Sequence, residues 1–335
     1  MKRALVAPDK FRGTASAVEV ARAMAEVFSR AGYETEVFPM SDGGEGLLEV
    51  FPGVVRNALV TAATGRKISA DYKMTGKTAV IEMARVAGLS LVGGAENNDA
   101  MAATTKGVGE LIKAAVFAGA NRVIVGCGGS ATTDGGLGAI DALEPTVRLS
   151  GVELIAAVDV EALFHDAAKE FSPQKGATPA QVALLTLRLE ALEQQYLTRF
   201  GIDISSIEGG GAAGGLAGGL AAIGARVVSG FEVAADANGL YESLEGASLI
   251  VTGEGYLDIQ SFRGKVVGHI VEIANQNSIP YLVVVGDCDQ DVLNARPDKS
   301  KIFSLVAQVG EERAFNATLD AVKQTLEIAL KSRGL

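Results

Sequence analysis

Short, uniformly apolar runs alternate with amphipathic stretches along much of the chain. Residues 3–7 form such a run, which is too apolar to alternate and so predicts a strand buried on both faces of a sheet. Ser16 and Glu19 then form a capping box, and the apolar stripe over residues 18–28 has helical spacing. Residues 35–40 predict a second strand. This order of strand, helix and strand is typical of an α/β fold.

The periodicity changes after the second predicted strand. Three stretches, at residues 54–60, 68–74 and 78–83, alternate polar and apolar side chains with a period of two. Turn sequences around Gly65 and Gly76 separate them. Successive antiparallel strands inside an α/β chain indicate a second domain inserted into the first.

Strands and helices alternate again in the rest of the chain. A helix over residues 104–119 leads to an apolar strand at 122–125, and another strand follows at 152–158. Thr178 is a predicted helix cap, and Pro179 stands at the first position of the long helix that follows. The last quarter of the chain repeats the pattern of strand and helix.

We therefore predict two domains of the α/β class. The first is a discontinuous Rossmann-like domain, and the second is a mixed α/β domain inserted into it. The first would contain residues 1–50, 104–145 and 240–335, and the second residues 51–103 and 146–239. Because ligands bind at the carboxyl edge of open parallel sheets, we expect an active-site cleft between the two domains.

The composition fits an ordinary globular chain with many tight loops. Of the 335 residues, 48% are hydrophobic and 21% charged, while the 41 glycines cluster behind apolar runs. The net charge of −10 argues against nucleic acid and against an anionic membrane as partners. The most apolar stretch, residues 212–225, is too short to span a membrane, and the N-terminus lacks a signal-peptide core. We expect a soluble, cytoplasmic protein. The sequence does not indicate its oligomeric state.

Several glycine-rich loops each carry a carboxylate. They occupy residues 41–46, 126–136, 208–215 and 252–258. Glycine at the end of a strand permits positive φ and lets backbone N–H groups approach an anion closely. Any one of these loops is equally well explained as an ordinary turn between a strand and a helix. Their occurrence together favours a functional site.

Carboxylates without a nearby histidine or cysteine stand at predicted strand ends or in these loops: Asp9, Asp42, Asp134, Asp159, Glu254 and Asp258. Mg²⁺ needs one or two carboxylates plus phosphate oxygens, and an Asp can accept the proton of an attacking hydroxyl. The set therefore fits phosphoryl transfer, although Asp beside Gly is also common in turns. Basic residues that would offset phosphate charge are Lys10, Arg12, Lys175, Arg263 and Lys265.

Two other phosphate-binding motifs match poorly. Residues 126–131 have the spacing of a dinucleotide fingerprint, but no acid lies between Glu144 and Glu153, where the ribose-binding carboxylate would stand. Residues 261–265 end in Gly-Lys like a Walker loop, but Ile259 replaces the required first glycine. A dinucleotide-binding enzyme is therefore a weaker alternative to a kinase.

Several ordered motifs resemble those of the glycerate kinase type I family, the bacterial enzymes that phosphorylate glycerate with ATP. They are Pro8-Asp-Lys-Phe-Arg-Gly13, Ser41-Asp-Gly-Gly-Glu-Gly46, Thr104-Thr-Lys-Gly-Val-Gly109, Gly128-Gly-Ser-Ala-Thr-Thr-Asp-Gly-Gly136, Pro173-Gln-Lys-Gly-Ala-Thr178, Gly209-Gly-Gly-Ala-Ala-Gly-Gly215, and Thr252-Gly-Glu-Gly-Tyr-Leu-Asp258 through Lys265. The resemblance covers nearly the whole chain. It implies a two-domain α/β enzyme, one domain having flavodoxin-like strand order, whose cleft binds glycerate, ATP and Mg²⁺.

The resemblance also implies transfer of the γ-phosphoryl group of ATP to D-glycerate, with the 2-hydroxyl favoured over the 3-hydroxyl. We assign catalytic roles to Asp134, Asp159, Lys265 and Arg12, with Asp134 or Asp159 as the base, and metal binding to Glu254 and Asp258. The residues expected to bind substrate or phosphate are Asp9, Asp42, Gly43, Gly44, Gly128, Gly129, Ser130, Lys175, Gly210, Gly211 and Ser261.

The chain departs from the family pattern in two places. After Asp159 it reads Val-Glu-Ala-Leu-Phe-His, where the family has an Asn-Pro-Leu run and a glycine-containing loop. The stretch over residues 139–152 is also shorter than in the family. Both changes touch the second domain, so the pocket for the sugar acid could differ. The alternatives are a kinase of another small hydroxy acid and a non-catalytic paralogue that binds a sugar acid or a nucleotide.

Overall fold

The computed structural model describes residues 2–262 and 264–333, with the backbone alone at 147 and 148. Its strands are β1 (Arg3–Val6), β2 (Glu34–Val37), β3 (Val54–Thr61), β4 (Lys67–Thr75), β5 (Thr78–Glu82), β6 (Arg122–Gly126), β7 (Glu153–Val158), β8 (Arg226–Ser229), β9 (Leu249–Leu257), β10 (Tyr281–Cys288) and β11 (Ile302–Ser304). Its α-helices are α1 (Ala17–Arg30), α2 (Leu47–Val50), α3 (Ala84–Ala87), α4 (Lys106–Phe117), α5 (Leu137–Leu143), α6 (Ala167–Phe171), α7 (Pro179–Phe200), α8 (Ala212–Ala222), α9 (Gly230–Asn238), α10 (Val266–Gln276), α11 (Gln290–Ala295), α12 (Leu305–Val309), α13 (Glu311–Asn316) and α14 (Thr318–Ser332).

Two helices begin at the caps that the sequence predicts. At α1 the Ser16 hydroxyl accepts a hydrogen bond from the Glu19 amide, and the Glu19 carboxylate accepts one from the Ser16 amide. Thr178 and Gln181 make the same pair of bonds at α7. Each capping box satisfies amides that the first helical turn leaves without an intrahelical partner. These helix starts are therefore confirmed.

The chain divides into two compact units, one formed by Met1–Asp42 with Phe231–Leu335 and the other by Gly43–Gly230. The sheet of the first unit has the order β2-β1-β9-β10-β11, and all its strands are parallel. Within this unit that is the flavodoxin-like order 2-1-3-4-5, which confirms the predicted fold class. Helices α1 and α14 cover one face, where Met24, Phe28 and Leu326 are fully buried.

The second unit contains a mixed sheet in the order β3-β4-β5-β6-β7-β8. Strands β3, β4 and β5 pair antiparallel, while β5 to β8 pair parallel. One core packs side chains of the sheet against α4, α5 and α8, including Leu111, Ile112 and Leu216. Another lies under α7 around Phe164 and Tyr196. The predicted mixed α/β domain is thus present.

The boundaries of the units differ from the predicted domain boundaries. The sequence prediction assigns residues 104–145 to the first domain, but β6 pairs with β5 and β7 in the second sheet. An apolar strand followed by a glycine loop suits either parallel sheet, so its pattern does not identify its neighbours. Residues 43–50 and 231–239 also lie in the opposite unit from the predicted one.

Candidate active site

The parallel sheet of the first unit has a topological switch point at β1. From β1 the chain continues to β2 on one side, whereas β9 lies on the other side. The carboxyl ends of β1 and β9 therefore flank the kind of crevice in which open α/β sheets bind ligands. Asp9 follows β1 there, and Glu254 lies in the carboxyl-terminal half of β9.

Asp9 is fixed at the switch point by its own backbone and by its neighbour. Its amide donates to the Gly253 carbonyl at 2.8 Å, and its Oδ1 accepts the Lys10 amide at 2.7 Å. The residue as a whole is 7% exposed. Burial raises the pKa of Asp9 to about 7, and the carboxylate of Asp42 adds to this, while the Lys10 ammonium opposes it. Asp9 therefore changes charge near neutral pH.

Two lysines approach Asp42, which ends the loop after β2. Lys265 Nζ lies 2.9 Å from Asp42 Oδ2. Lys10 Nζ lies 3.9 Å from Asp42 Oδ1 and 4.0 Å from Asp9 Oδ1. Lys265 is also the N-cap residue of α10, so its ammonium stands at the positive end of that helix. Both lysines are placed where they can attract an anion.

Glu254 is the third carboxyl of this group. Its Oε1 is buried and has no hydrogen-bond partner within residues 2–262 and 264–333. Burial raises the pKa of Glu254 to about 8; a hydrogen bond from Ser261 opposes the shift, and Asp9 adds to it. A buried carboxyl oxygen without a hydrogen-bond partner is stabilised by a proton or by a cation. We call Asp9, Lys10, Asp42, Glu254 and Lys265 the switch-point cluster.

Glu254 is the member of the cluster that could hold a magnesium ion. Mg²⁺ is commonly held by one or two protein carboxylates, with phosphate oxygens and water as its other ligands. Glu254 offers such an oxygen in its unsatisfied Oε1. No set of three or more His, Cys, Asp or Glu side chains able to hold a metal occurs in the described part of the chain. A cation here would therefore depend on phosphate oxygens.

We expect Glu254 to make the first unit less stable as pH rises from about 4 to about 8. Its pKa is about 8 in the folded chain and about 4.3 when unfolded, so the folded chain binds more protons in this window. Unfolding free energy then falls with rising pH. Glu254→Gln should flatten this slope in urea titrations followed by circular dichroism between pH 5 and pH 8.

The matched control for this titration is Glu34→Gln, an exposed carboxylate of β2 in the same unit. It should keep the wild-type slope. If the slope in Glu254→Gln equals that of wild type, Glu254 is not protonated in the folded chain at neutral pH.

Asp258, predicted as a metal ligand, closes a local turn. Its Oδ1 accepts the amides of Gln260 at 2.7 Å and Ser261 at 3.2 Å, and its own amide donates to Ser261 Oγ at 3.0 Å. These bonds make Asp258 less available to a cation than Glu254. Predicted Arg12 is exposed. Arg263 lies outside the described residues.

In the second unit, two predicted glycine loops pack backbone against backbone. A Cβ at Gly128 would lie 2.4 Å from Gly44 Cα, and one at Gly126 would lie 2.6 Å from Gly43 O. Only glycine permits this approach, so close packing is sufficient to explain these glycines. Gly129 has φ +69°, which side chains rarely adopt. Anion binding by the amides of these loops stays a prediction.

Lys175 lies inside the second unit rather than on its surface. The side chain is 3% exposed, and Nζ donates to Ser130 Oγ and to the Thr132 carbonyl, each at 2.8 Å. Asn98 Nδ2 donates to the Lys175 carbonyl at 2.9 Å. Burial lowers the pKa of Lys175 to about 7, although Asp134 raises it. Lys175 thus orients Ser130, and its direct contact with phosphate stays a prediction.

We expect Lys175 to make the second unit more stable as pH rises from about 7 to about 10. Its pKa is about 7 in the folded chain and about 10.4 when unfolded, so the unfolded chain binds more protons in this window. Unfolding free energy then increases with pH. Lys175→Met should remove this increase in urea titrations, whereas exposed Lys169→Met should keep it. An unchanged slope in Lys175→Met would contradict burial of a titrating amine.

Asp134, predicted as a base, is surrounded by hydrogen-bond donors. Its Oδ2 accepts the Thr105 amide at 2.8 Å, the Thr105 hydroxyl at 2.9 Å and the Gly138 amide at 3.3 Å. Its Oδ1 accepts the Gly136 amide at 3.1 Å. Burial raises the pKa of Asp134, and these bonds oppose the shift. Because Thr105 and Gly136 are the N-cap residues of α4 and α5, Asp134 joins the starts of two helices.

The other predicted residues of the second unit lie around the end of β7. Asp159 directly follows β7 and is half-buried. The Gly211 amide donates to the Ala162 carbonyl at 2.9 Å, and a Cβ at Gly211 would lie 2.6 Å from Leu163 O. Gly210 and Gly211 therefore pack against the segment that follows Asp159. A base role for Asp159 stays a prediction.

The structure brings together five residues named from the sequence: Asp9, Lys10, Asp42, Glu254 and Lys265. The sequence signal for Lys10 is its position directly after Asp9 at a strand end, but any single lysine is more often a solvated surface charge. Thr105 has no such signal, because its partner Asp134 is distant in the chain.

Among the described residues, no helix combines the length and the apolar character needed to cross a membrane.

Comparisons with known proteins agree on one family. The model of the glycerate kinase family matches residues 4–146 and 144–332. A glycerate 2-kinase of Escherichia coli strain K12 is 33% identical, over 98% of this chain and 99% of its own. An uncharacterized protein of Mycobacterium bovis is 42% identical, over 86% of this chain and 80% of its own. The crystal structure of a candidate glycerate kinase 2 from Salmonella typhimurium LT2 has a TM-score of 0.83 and 30% identity, over 99% of this chain and 98% of that one.

Proposed function

Because the chain belongs to the glycerate kinase family, we propose that it transfers the γ-phosphoryl group of ATP to a hydroxyl of D-glycerate with Mg²⁺. The observation that carries this proposal is the switch-point cluster. It combines carboxyls that titrate near neutral pH with two lysines, at the sheet edge where α/β folds bind ligands. Transfer to the 2-hydroxyl follows the name of the Escherichia coli relative.

In this proposal Asp9 is the general base. A base is most effective when its pKa lies near the working pH, and the pKa of Asp9 is about 7. Asp134 is the weaker candidate, because both of its oxygens already accept hydrogen bonds from the backbone. Asp159 is the second choice. Ionised Asp9 would accept the proton of the attacking hydroxyl as the new phosphate ester forms.

The remaining members of the cluster would stabilise charge on the phosphoryl group. Lys10 and Lys265 would attract its oxygens while the bond to the leaving phosphate breaks. Glu254 would hold Mg²⁺, which neutralises phosphate charge when it is bound. In the second unit, the Ser130 hydroxyl keeps its hydrogen free to donate to an anion, since Lys175 already occupies the acceptor side of that hydroxyl.

The test is an assay of ADP release from Mg·ATP with a panel of small acids: D-glycerate, L-glycerate, glycolate, tartronate and lactate. We expect release with D-glycerate alone, and 2-phosphoglycerate as the product identified by ³¹P NMR. Release with another acid would support the alternative of a different hydroxy-acid kinase, which the shortened segment after Asp159 favours. If protein that binds ATP released ADP with none of these acids, both the glycerate kinase and the alternative hydroxy-acid kinase would be contradicted.

A further inference from the structure

One sheet edge of this protein differs from the others. Within the described residues, β2, β8 and β11 are edge strands of three or four residues, and β2 carries the charged Glu34 and Glu36. Short and charged edges prevent pairing with other chains. Strand β3 has eight residues and exposes Val54, Val55 and Leu59 by 66%, 56% and 71%. It is twice as long as β2 and β8, and Arg56 is its one charged residue.

The backbone of β3 shows which residues face outwards from this edge. In an antiparallel pair, the amide and the carbonyl of one residue point to the same side. The Ala62 amide donates to Arg66 O in the hairpin with β4, whereas the Thr61 amide donates to the Glu110 carboxylate of α4. Odd-numbered residues of β3 therefore point their backbone groups away from β4.

Glu110 accepts the hydrogen bond of the outward Thr61 amide, but three other outward-facing residues have no such acceptor. They are Val55, Asn57 and Leu59, whose amides donate to no acceptor in the described part of the chain. Each also presents an outward carbonyl. The edge is thus an uncovered row of donors and acceptors beside exposed apolar side chains, which ends where Glu110 covers it.

We propose that this edge pairs with the same edge of a second copy of the chain, antiparallel about a twofold axis through Asn57. In this register Asn57 faces Asn57 of the second copy, and Val55 faces Leu59 of the second copy on both sides of the axis. All three outward-facing residues then form hydrogen-bonded pairs. The second sheets of the two copies would become one continuous sheet.

The side chains select this register over its neighbours. An axis through Arg56 would place two guanidinium groups directly opposite each other, which is unfavourable. An axis through Ala58 would pair Val55 with Thr61, whose amide already donates to Glu110. The axis through Asn57 instead places apolar Val55 and Leu59 together and sets Arg56 opposite Ala58. No like charges face each other, so the edge is complementary to itself.

The first test is a symmetric cross-link. Paired residues on the axis have Cα atoms about 5.5 Å apart, which a disulfide can span. Asn57→Cys should therefore form a covalent dimer on mild oxidation. Leu59→Cys is the matched control, because residue 59 of each copy would lie about 13 Å from residue 59 of the other. Native Cys127 and Cys288 are buried and should give little background.

The second test introduces charged residues on both sides of the axis and measures the dimer by sedimentation. Val55→Lys with Leu59→Lys places like charges opposite each other twice and should weaken the dimer at least about tenfold. Val55→Glu with Leu59→Lys places opposite charges there and should restore it. Residues 55 and 59 are too far apart within one strand to form this pair. Both native side chains are exposed in one copy, so both variants should fold.

Every outcome bears on the proposal. A monomer at all concentrations would overturn it, as would a dimer that the double-lysine variant leaves intact. A dimer in which Asn57→Cys fails to cross-link while Leu59→Cys succeeds would overturn the register and the axis. Binding of an unrelated strand, with the protein itself monomeric, would assign the edge to another partner and also refute the proposal.

Discussion

Asp9→Asn should lower kcat for D-glycerate by about 10²- to 10⁴-fold, the contribution typical of a general base. The fold should survive, since the Asn side chain has the same shape and its oxygen can still accept the Lys10 amide. Wild-type kcat should also rise with pH through a value near 7, as Asp9 ionises, and the variant should lose that rise. Initial rates of ADP release between pH 5.5 and pH 9 measure both effects.

The matched control is Asp291→Asn, which changes an exposed carboxylate of α11 in the same unit. It should leave kcat and its pH profile unchanged. Should Asp9→Asn keep kcat within a few-fold of wild type, the base lies elsewhere, and Asp159→Asn is the next variant to measure. A loss of activity without any change in pH profile would assign Asp9 to binding rather than to proton transfer.

Asp134→Asn should act on stability first, with a loss of about 3 kcal/mol in the free energy of unfolding. The Asn amide has one oxygen that accepts and an NH₂ group that only donates, so at least one of the donors from Thr105, Gly136 and Gly138 loses its buried partner. The bonds that remain also lose the assistance of a negative charge. Urea unfolding at pH 7, followed by circular dichroism, measures the change.

Asp141→Asn, on the exposed side of α5, provides the comparison and should change the free energy of unfolding by less than about 0.5 kcal/mol. Activity separates the two roles of Asp134. If it is the base, the variant should unfold at the wild-type urea concentration and lack turnover. We expect Asp134→Asn to unfold at a lower urea concentration than wild type. Below its unfolding transition, the folded variant should retain most of its kcat.

Local features of the fold could be predicted because their partners are close in the chain. The capping boxes of α1 and α7 need residues three positions apart, and the β3 to β5 strands are joined by short turns. These elements can therefore be predicted without knowledge of the rest of the molecule. The carboxylates of the switch-point cluster were also predictable, since strand ends and glycine loops mark the ligand edge of a sheet.

The remainder depends on contacts between distant residues. Lys265 and Asp42, 223 positions apart, form an ion pair, and nothing near either residue indicates the other. From the sequence, Lys175 resembles a surface lysine. Only the structure shows that it is buried against Ser130. Asp134 follows a glycine loop in the sequence, and its four hydrogen-bond donors become visible only in the structure. Sequence thus located carboxylates and lysines but could not separate those that hold the fold from those that face a ligand.

The strand order of the first unit also determines when each strand finds its partner during synthesis. β1 pairs with β9, so Ala4 meets Leu249 only after most of the chain has left the ribosome. Its other neighbour, β2, follows early in the chain, but at roughly 5–20 residues per second β1 waits about 12 to 50 seconds for β9. The second unit is one continuous segment and has all its strand partners by Ser229. One edge of the apolar N-terminal strand therefore stays without its sheet neighbour until late in synthesis.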